Sequence, residues 1–412
     1  MFGECASLVR SGVNPKECQN ERYVGLEHIA QGSLHLTGYG LGKNVDSQKS
    51  IFKKGDILFG KLRPYFRKLV AAPFDGICST DIWVISPQKG IDRDFLFYWM
   101  ASDNFISHAT DTSEGTRMPR AKWNIVSMLT TPYFSLREQE QIGGTLGSLD
   151  TEIALNSQIN ATLEAIAQAL FKSWFIDFDP VRAKIEDRQP EAMDETTAAL
   201  FPAELIESEI GLIPKGWSPG ALTEFATLNP ESWSAKNHPS TVRYIDLANA
   251  KENRIEQIVD YDFSTAPSRA RRVLRHGDSI IGTVRPGNRS FAYIQTNETN
   301  LTGSTGFAVL RPKHPSFSEF VYLAATHEDN IARLANLADG GAYPAVRPEV
   351  VLQTPVVYPN ESILSAFSEL VCPLFKQIQA NQLCENQLVE MRDTLLPKLY
   401  SGQLRIPGIE PN

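Results

Sequence analysis

The stretch GDILFGKLRPYFRK at residues 55–68 has a near copy, GDSIIGTVRPGNRS, at residues 277–290. Gly, Asp, Gly, Arg, Pro and a second Arg recur at the same internal spacing in both stretches. The two copies lie 222 residues apart in a chain of 412 residues. Repeats that build solenoids and propellers have periods of about 20–50 residues, so an offset of half the chain predicts one module used twice.

The repeat continues on both sides of this motif. RYVGL at 22–26 matches RYIDL at 243–247, and STDIWVI at 79–85 matches STGFAVL at 304–310. These runs are rich in β-branched and aromatic residues, and Gly and Pro separate them, which is typical of strands and turns. Each half of the chain is therefore predicted to begin with a strand-rich module.

A helical periodicity follows each strand-rich module. Apolar residues then alternate in steps of three and four, which indicates a coiled coil, and the two patterns have the same register at an offset of 225. Even Asn156 is matched by Asn381, and an Asn at such a position weakens packing but penalises slipped registers. We expect the two helices to pair through Ile142, Leu146, Leu149, Ile153, Asn156, Leu163, Leu170 and Trp174 of the first and Phe367, Leu374, Ile378, Asn381, Leu388, Leu395 and Leu399 of the second.

These patterns divide the chain into segments. The acidic, Pro-containing stretch after the first helix is predicted to be a linker, with a short helix near Ala203–Ser208. The predicted segments are two modules at 1–134 and 213–360, two long helices at 135–175 and 361–402, the linker at 176–212 and a tail at 403–412.

Charge and composition narrow the class of protein. The net charge is −8, but residues 1–135 carry +3 and residues 210–360 carry +1, so the acidity lies outside the modules and does not exclude nucleic acid. No signal peptide and no membrane span is expected. The five cysteines are widely spread without a CxxC pair, which predicts a reduced cytoplasmic protein without a disulfide framework or metal site.

The repeated motif places an Arg at a strand end with a rigid Pro behind it, at Arg63-Pro64 and Arg285-Pro286. Two roles remain open for this Arg: an ion pair with the Asp of its own motif, or contact with DNA. Arg and Lys suit phosphates and guanine edges, and Asn suits adenine. The candidate DNA-binding residues are Lys61, Arg63, Tyr65, Arg67, Lys68, Arg117, Arg120, Lys122, Arg269, Arg271, Arg272, Arg285, Asn288, Arg289 and Arg347.

Signals of catalysis are weak. GYGLGK at 38–43 lacks the spacing and the Ser or Thr of a phosphate-binding loop, and the seven histidines show no metal-ligand spacing. The stretch NPES at 229–232 lacks the aromatic residue that an amino-methyltransferase would stack on a flipped base. We therefore predict no catalytic and no metal-binding residues in this chain.

The whole pattern resembles the specificity subunit of type I restriction–modification systems. The resemblance implies an α+β fold, in which two α/β target-recognition domains are separated by two long antiparallel helices that form a coiled coil, with a pseudo-twofold internal repeat. The residues that carry it are the GD…G…RP motif in both halves, LREQEQI at 136–142, LFKSWFIDFDPV at 170–181, LFPAELIESEIGLIPKGW at 200–217 and MRDTLLPKLYSGQL at 391–404.

The resemblance also implies an assembly. Each target-recognition domain would recognise one half of a split double-stranded DNA target, and the helices would set the gap between the halves. The helices would carry two methyltransferase subunits, which bind S-adenosylmethionine and flip and methylate an adenine in each half. Restriction subunits that use ATP and Mg would join this core, and the specificity subunit itself would perform no chemistry.

One departure and two other functions remain open. IPKGWSPGALTEFA at 213–226 has only MFGECA in the matching place of the first module, so that module is expected to lack its opening strand. Either the chain starts late, or the C-terminal LRIPGIEPN closes the gap. The alternative functions are a self-sufficient DNA methyltransferase, and a coiled-coil adaptor or anti-restriction decoy that binds the partner subunits without DNA.

Overall fold

A computed structural model describes residues 1–32, 34–341 and 343–406. The chain forms two compact units. Unit 1 holds Met1–Ser157 together with the segment that begins at Leu383, and unit 2 holds Gln158–Gln382. The predicted division into six segments stays a prediction.

Unit 1 is built on two sheets. Its strands are β1 (Ala6–Leu8), β2 (Gly12–Val13), β3 (Arg22–Val24), β4 (Gly40–Leu41), β5 (Lys49–Phe52), β6 (Ile57–Gly60), β7 (Leu69–Ala71), β8 (Gly76–Ser79) and β9 (Ile82–Pro87). One antiparallel sheet has the order β1-β9-β6-β7, and the other, β2-β5-β8-β3-β4, contains the parallel pair β3 and β8. The helices are α1 (Phe2–Cys5), α2 (Arg93–Ala101), α3 (Asp103–Asp111), α4 (Trp123–Val126) and the first part of α5 (Leu136–Phe175).

Unit 2 contains the remaining elements. Its strands are β10 (Leu205–Ser208), β11 (Gly211–Pro214), β12 (Ser218–Ala221), β13 (Ala226–Leu228), β14 (Thr241–Ile245), β15 (Ala250–Lys251), β16 (Arg254–Ile255), β17 (Val259–Asp262), β18 (Ala270–Val273), β19 (Ser279–Gly282), β20 (Phe291–Tyr293), β21 (Leu301–Ser304), β22 (Phe307–Pro312) and β23 (Pro355–Tyr358). Its helices are α6 (Asp179–Ile185), α7 (Glu195–Ala199), α8 (Ser318–Thr326), α9 (Glu328–Leu337), α10 (Pro348–Leu352), the end of α5 and most of α11 (Glu361–Tyr400).

The internal repeat is structural. The sheet β13-β22-β19-β20 of unit 2 has the same order as β1-β9-β6-β7 of unit 1. The parallel pair β14 and β21 likewise corresponds to β3 and β8. The predicted α+β fold with a repeated strand-rich module is confirmed.

Two glycine positions of the repeated motif are required by geometry in both copies. Gly55 and Gly277 have φ of 94° and 85°, in the left-handed region that favours glycine. A Cβ at Gly60 would lie 2.8 Å from Leu26 Cδ2, and one at Gly282 would lie 2.9 Å from the carbonyl oxygen of Ser290. Much of the motif's recurrence therefore reflects shared architecture.

The aspartates of the motif also serve the fold. Asp56 accepts hydrogen bonds from the amide of Lys53 at 2.8 Å and from the Ser86 hydroxyl at 2.5 Å. The fully buried Asp278 accepts from the amide of Arg275 and from two guanidinium nitrogens of Arg311, each at 2.8 Å. Both aspartates therefore have other partners. The structure does not favour an ion pair between the Asp of the motif and the Arg that follows it.

The long helices pack against each other in each unit. Helices α5 and α11 have 40 residues each, which is about 60 Å at 1.5 Å per residue. In unit 1, Ile142 and Leu146 share a core with Leu396 and Leu399. In unit 2 the Trp174 and Phe367 rings lie 5.4 Å apart between centroids.

The helices run antiparallel, since residue numbers rise along one helix as they fall along the other. In unit 2, Asn160 contacts Asn381, and Trp174 contacts Phe367. All fifteen predicted interface positions are buried or half-buried. The predicted pairing of two long helices is confirmed.

The two matched asparagines have different surroundings. Asn381 donates to Asn160 Oδ1 at 2.8 Å and accepts from Gln377 at 2.7 Å. Asn156 is buried, and its Nδ2 lacks a hydrogen-bond partner among the described residues. The sequence match therefore does not extend to the hydrogen bonds.

Each unit joins its strand-rich module to a long helix through a tyrosine and a helix carboxylate. In unit 1 the Tyr98 hydroxyl donates to Asp150 at 2.6 Å. In unit 2 the Tyr322 hydroxyl donates to Glu164 at 2.8 Å. Asp150 also has the cationic partner Arg392, whereas Glu164 accepts its second hydrogen bond from the neutral amide of Asn253, at 2.7 Å.

The stretch predicted as a linker has more structure than its composition indicates. Helices α6 and α7 and strand β10 lie in it, β11 begins at its end, and Val181 and Phe201 are buried in the core of unit 2. The short helix predicted near Ala203–Ser208 is wrong. Residues 205–208 instead form a strand that pairs antiparallel with Gly211–Pro214, because Gly211 at φ 99° allows the tight turn between them.

The edge of the first module differs from that of the second. In unit 2, β12 pairs with β23. In unit 1, β1 is the counterpart of β13, and within the described residues nothing pairs as a strand with residues 132–134, the counterpart of β23. Six of the nine residues of the C-terminal stretch proposed to close this gap, residues 407–412, lie outside the described residues.

Three observations concern the features of membrane proteins, disulfide-bonded proteins and metalloproteins. Across the described part of the chain, no helix is long and apolar enough to cross a membrane. All five cysteines are free thiols. No group of His, Cys, Asp and Glu within residues 1–32, 34–341 and 343–406 has the arrangement of a metal site.

Candidate nucleic-acid interface

The motif Arg-Pro-x-x-Arg forms the same turn in both units, which we call the RP turn (Arg63–Arg67 and Arg285–Arg289). A short 3-10 helix, Pro64–Phe66 or Pro286–Asn288, lies between the two arginines. Both arginines of each turn have left-handed backbones, with φ of 52° and 50° in unit 1 and 48° and 58° in unit 2.

This backbone is costly for arginine. The left-handed conformation costs a residue with a Cβ about 1–2 kcal/mol, a cost that glycine avoids. Yet arginine occupies all four positions, while the one glycine of the second turn, Gly287, is not among the residues with positive φ. This strain makes the four arginine side chains candidates for a structural or functional role.

A second loop adjoins each RP turn, and we call its described residues the companion loop (residues 114–120 in unit 1, and residues 339–341 and 343–345 in unit 2). The amide of Arg63 donates to the carbonyl of Pro119 at 2.8 Å, and that of Arg285 donates to the carbonyl of Pro344 at 2.7 Å. Each loop is closed at its base by a pair of backbone hydrogen bonds, between Glu114 and Arg120 and between residues 339 and 345. The two loops of each unit therefore form one surface.

The first arginine of each turn is directed toward the companion loop. Arg63 donates from Nη2 to the carbonyl of Arg117 at 3.1 Å, and its buried Nε lacks a partner among the described residues. Arg285 is exposed, and its guanidinium carbon lies 4.8 Å from the ring centroid of Tyr343. A partly used guanidinium at a loop surface suits contact with an anion or a base edge.

The second arginine of each turn forms an ion pair inside its own unit. Arg67 pairs with Asp103, and Arg289 pairs with Glu252 at 2.7 Å. Both pairs are partly exposed, so each contributes at most about 1 kcal/mol to stability. These contacts hold the turn in place and leave the first arginine as the stronger candidate for DNA contact.

The other DNA-binding candidates near the first RP turn differ in whether their side chains already have partners within the unit. Lys68 is half-buried and donates to the carbonyl of Leu26 at 2.5 Å, and burial lowers the pKa of its ammonium group. Arg120 forms a two-point pair with Asp81, which raises the pKa of the guanidinium, and Lys122 pairs with Glu114 at 2.5 Å. The remaining candidates on the two surfaces have exposed or half-exposed side chains: Lys61, Tyr65, Arg117, Asn288 and Arg347.

The cluster Arg269, Arg271 and Arg272 lies on β18 and the residue before it, away from the RP turn in the chain. Arg269 pairs with Asp246 at 2.6 Å, and the Arg271 guanidinium carbon lies 4.8 Å from the Phe263 ring centroid. Burial lowers the pKa of the half-buried Arg272. These contacts favour a role within the sheet, so the DNA-binding role of this cluster stays a prediction.

The companion loop was missed by the sequence analysis except for its charged residues. Its signal is present at an offset of 225, because Gly115 and Pro119 match Gly340 and Pro344. The matched position between them holds Met118 in unit 1 and Tyr343 in unit 2. A search for glycine and proline at constant spacing finds this loop, whereas a search for charge does not.

Comparisons with known proteins agree with this architecture. A family model described as the type I restriction modification DNA specificity domain matches residues 14–165. The chain is 27% identical over 408 residues to the HindI type I restriction enzyme specificity subunit of Haemophilus influenzae, covering 86% of this chain and 88% of that protein. It is 25% identical over 412 residues to the MjaIX specificity subunit of Methanocaldococcus jannaschii, covering 96% of this chain and 86% of that protein.

A solved structure has a similar fold. It is the S subunit of a type I restriction–modification system from M. genitalium, with a TM-score of 0.52 and 14% identity, and the match covers 97% of this chain and 94% of that one. The repeated modules, the paired long helices and the sequence relatives lead to the same conclusion. The chain is similar over most of its length to type I restriction–modification specificity subunits, and residues 14–165 match the DNA specificity domain of that family.

Proposed function

We propose that this chain recognises a split double-stranded DNA target, with each strand-rich module contacting one half of the target. The observation that carries this proposal is the recurrence of the RP turn and its companion loop in both units, with arginine in left-handed positions. The turns diverge between their arginines, with Tyr65 and Phe66 in one and Gly287 and Asn288 in the other. Similar scaffolds with different polar and apolar groups suit modules that recognise different base sequences.

The long helices are the proposed spacer of the target and the docking site of the partners. Two helices of about 60 Å that pair along buried residues are stiff enough to set a constant gap between two half-sites. We propose that they carry two methyltransferase subunits and that restriction subunits join the complex in the cytoplasm. S-adenosylmethionine, ATP and Mg would then bind to the partner subunits, and this chain would be non-catalytic.

The primary test is methylation mapping. The chain is co-expressed with the methyltransferase subunit of the same host, and methylated adenines are located across the genome. A bipartite motif with a constant gap is the expected result. Methylation at unsplit sites, or a motif that is unchanged when this chain is omitted, would disprove the proposal.

Two further measurements separate the other classes of function. Transfer of labelled methyl groups to DNA by the purified chain alone would identify a self-sufficient methyltransferase. In a mobility-shift titration, the affinity of the complex for DNA should fall steeply with salt, because phosphate contacts release counterions. Assembly with the methyltransferase subunit but with no contribution of this chain to DNA affinity would identify an adaptor.

A further inference from the structure

We propose that Met118 and Tyr343, which occupy the same position of the two companion loops, make apolar contacts with DNA bases and help to determine which sequence each half of the target has. This inference rests on the proposed function and adds two specificity-determining residues that carry no charge. It is independent of which bases the arginines contact.

The backbone of each companion loop is well anchored without these side chains. Glu114 and Arg120 exchange backbone hydrogen bonds of 3.0 and 2.9 Å, and Ala121 donates to the carbonyl of Lys61 at 2.9 Å. In unit 2, residues 339 and 345 exchange bonds of 3.0 and 2.9 Å, and residue 346 donates to the carbonyl of Thr283 at 2.9 Å. The fold therefore holds each loop through its main chain.

The side chains at the matched position are apolar and exposed. Met118 is 49% exposed, and Tyr343 is 72% exposed. Much of each side chain is not covered by its own unit, so its apolar surface is accessible to a ligand. An exposed apolar group recurs at this position in both units, although its chemical identity differs. This recurrence points to a contact that each unit makes with its own ligand.

The neighbouring arginines indicate what that ligand is. In unit 2 the Arg285 guanidinium lies over the Tyr343 ring, with 4.8 Å between the guanidinium carbon and the ring centroid. In unit 1 Arg63 donates to the carbonyl of Arg117, the residue before Met118. A cation beside an apolar group matches DNA, where phosphates border the grooves and the bases supply apolar surface.

Methionine and tyrosine share an apolar surface but no common hydrogen-bonding group. The contact that both can make is therefore apolar, either with the 5-methyl group of thymine or with the face of a base at an opened step. Both are apolar contacts with a base, and modified DNA distinguishes them.

The test uses the full chain in complex with the host methyltransferase subunit. Met118→Ala and Tyr343→Ala are compared with the conservative Met118→Leu and Tyr343→Phe, and with Tyr133→Ala, which removes a tyrosine that is 96% exposed elsewhere in unit 1. Binding is measured on a duplex that contains the motif mapped for the unmodified complex, and the methylation motif of each variant is mapped.

Each alanine variant should weaken binding about tenfold, which is in the range of one lost base contact, and should relax one position of one half-site. Met118→Ala and Tyr343→Ala should relax opposite halves. The two conservative variants and Tyr133→Ala should keep the motif and bind within about twofold of the unmodified complex.

Two modified duplexes identify the contact. Uracil in place of thymine at the relaxed position weakens the unmodified complex but not the alanine variant if the thymine methyl is contacted. A 2-aminopurine at that step brightens on binding of the unmodified complex only, if a base face is opened.

Two outcomes would overturn the inference. One is a motif and affinity unchanged in both alanine variants. The other is loss of assembly with the methyltransferase subunit at unchanged DNA affinity per complex, which would assign the loops to protein contact. An unmodified complex without any split motif would instead disprove the proposed function itself.

Discussion

Arg392 of α11 donates from Nη1 to Oδ1 of Asp150 in α5 at 2.7 Å, inside the helix pair of unit 1. The two side chains are only 8% and 10% exposed. The other carboxylate oxygen of Asp150 accepts from the Tyr98 hydroxyl at 2.6 Å, so one carboxylate joins both long helices and the strand-rich module. An ion pair in such a position costs desolvation, so its presence does not by itself imply a net gain in stability.

Removing one partner of the Asp150–Arg392 pair should destabilise the protein far more than replacing both partners together with Tyr98. Asp150→Ala should lower the free energy of unfolding by about 3 kcal/mol, because the buried Tyr98 hydroxyl and Arg392 Nη1 both lose their acceptor, and Arg392 keeps only the exposed Asp393. The triple variant Tyr98→Phe, Asp150→Leu and Arg392→Leu should be close to the unmodified chain, since the buried cluster then holds no unpaired polar group and Asp393 is exposed to water. Urea titrations followed by circular dichroism measure both. Equal losses in the two variants would show that the pair is a net stabiliser.

Replacing Asn156 with an apolar residue should stabilise the protein. Asn156→Leu should raise the free energy of unfolding by about 1 kcal/mol, because it removes a buried donor that has no partner in the described part of the chain. Asn381→Leu is the matched control. It should lower that energy by about 1–3 kcal/mol, since Asn160 and Gln377 each lose a hydrogen bond. Losses of the same size in both variants would contradict this difference.

Glu164 should make unit 2 less stable as the pH rises. Burial raises the pKa of this carboxyl above its ordinary value of 4.5, so between 4.5 and the raised pKa the folded chain keeps a proton that the unfolded chain releases. The free energy of unfolding therefore falls as the pH rises through this window. Glu164→Gln should remove the effect, and its melting temperature relative to the unmodified chain should increase from pH 4.5 to pH 7.

Glu138→Gln provides a control of opposite sign for this measurement. Hydrogen bonds from the hydroxyl and amide of Ser135 lower the pKa of Glu138, so this carboxylate contributes stability that is lost as the pH falls. The melting temperature of Glu138→Gln relative to the unmodified chain should therefore decrease as the pH rises toward 4.5 from below, and should stay nearly constant from pH 4.5 to pH 7. The same pH trend in both variants would show that neither carboxyl behaves as assigned.

Glycine at the RP turn should separate the backbone role of the arginine from its side-chain role. Arg63→Gly and Arg63→Ala should both lose about tenfold in DNA affinity, because both lack the guanidinium. The glycine variant should be more stable than the alanine variant by about 1 kcal/mol, since only glycine relieves the left-handed strain. Thermal unfolding and binding titrations measure the two effects. Arg285→Gly should act in the same way on the other half of the target, and variants that impair both halves equally would contradict independent modules.

The repeat, the strand-rich modules and the helix pair could all be predicted from local patterns. Offsets of 222 and 225 located matching elements, and steps of three and four located the interface of α5 and α11. The strand at residues 205–208 could not be predicted, because a four-residue apolar and acidic stretch suits a helix as well as a hairpin. Its pairing with β11 across a tight turn decides the outcome, and the propensity of the four residues alone does not encode that pairing.

The candidate DNA-binding residues could also be predicted only in part from the sequence. Arg63 and Arg285 were found from the motif, but charge alone ranked Arg67, Arg120 and Arg269 beside them. The structure places those three in ion pairs with Asp103, Asp81 and Asp246. Because an ion pair depends on where distant acidic residues come to lie, no local pattern reveals it.

The amino-acid sequence by itself determined that this protein has one module twice and two long helices that pair, because periodicity and turn chemistry act over a few residues. Only the tertiary structure decided which arginines are already paired, which turns hold a left-handed backbone and which loop lies beside them. These properties arise from segments that are dozens of residues apart and meet only when the cores of the two units are packed.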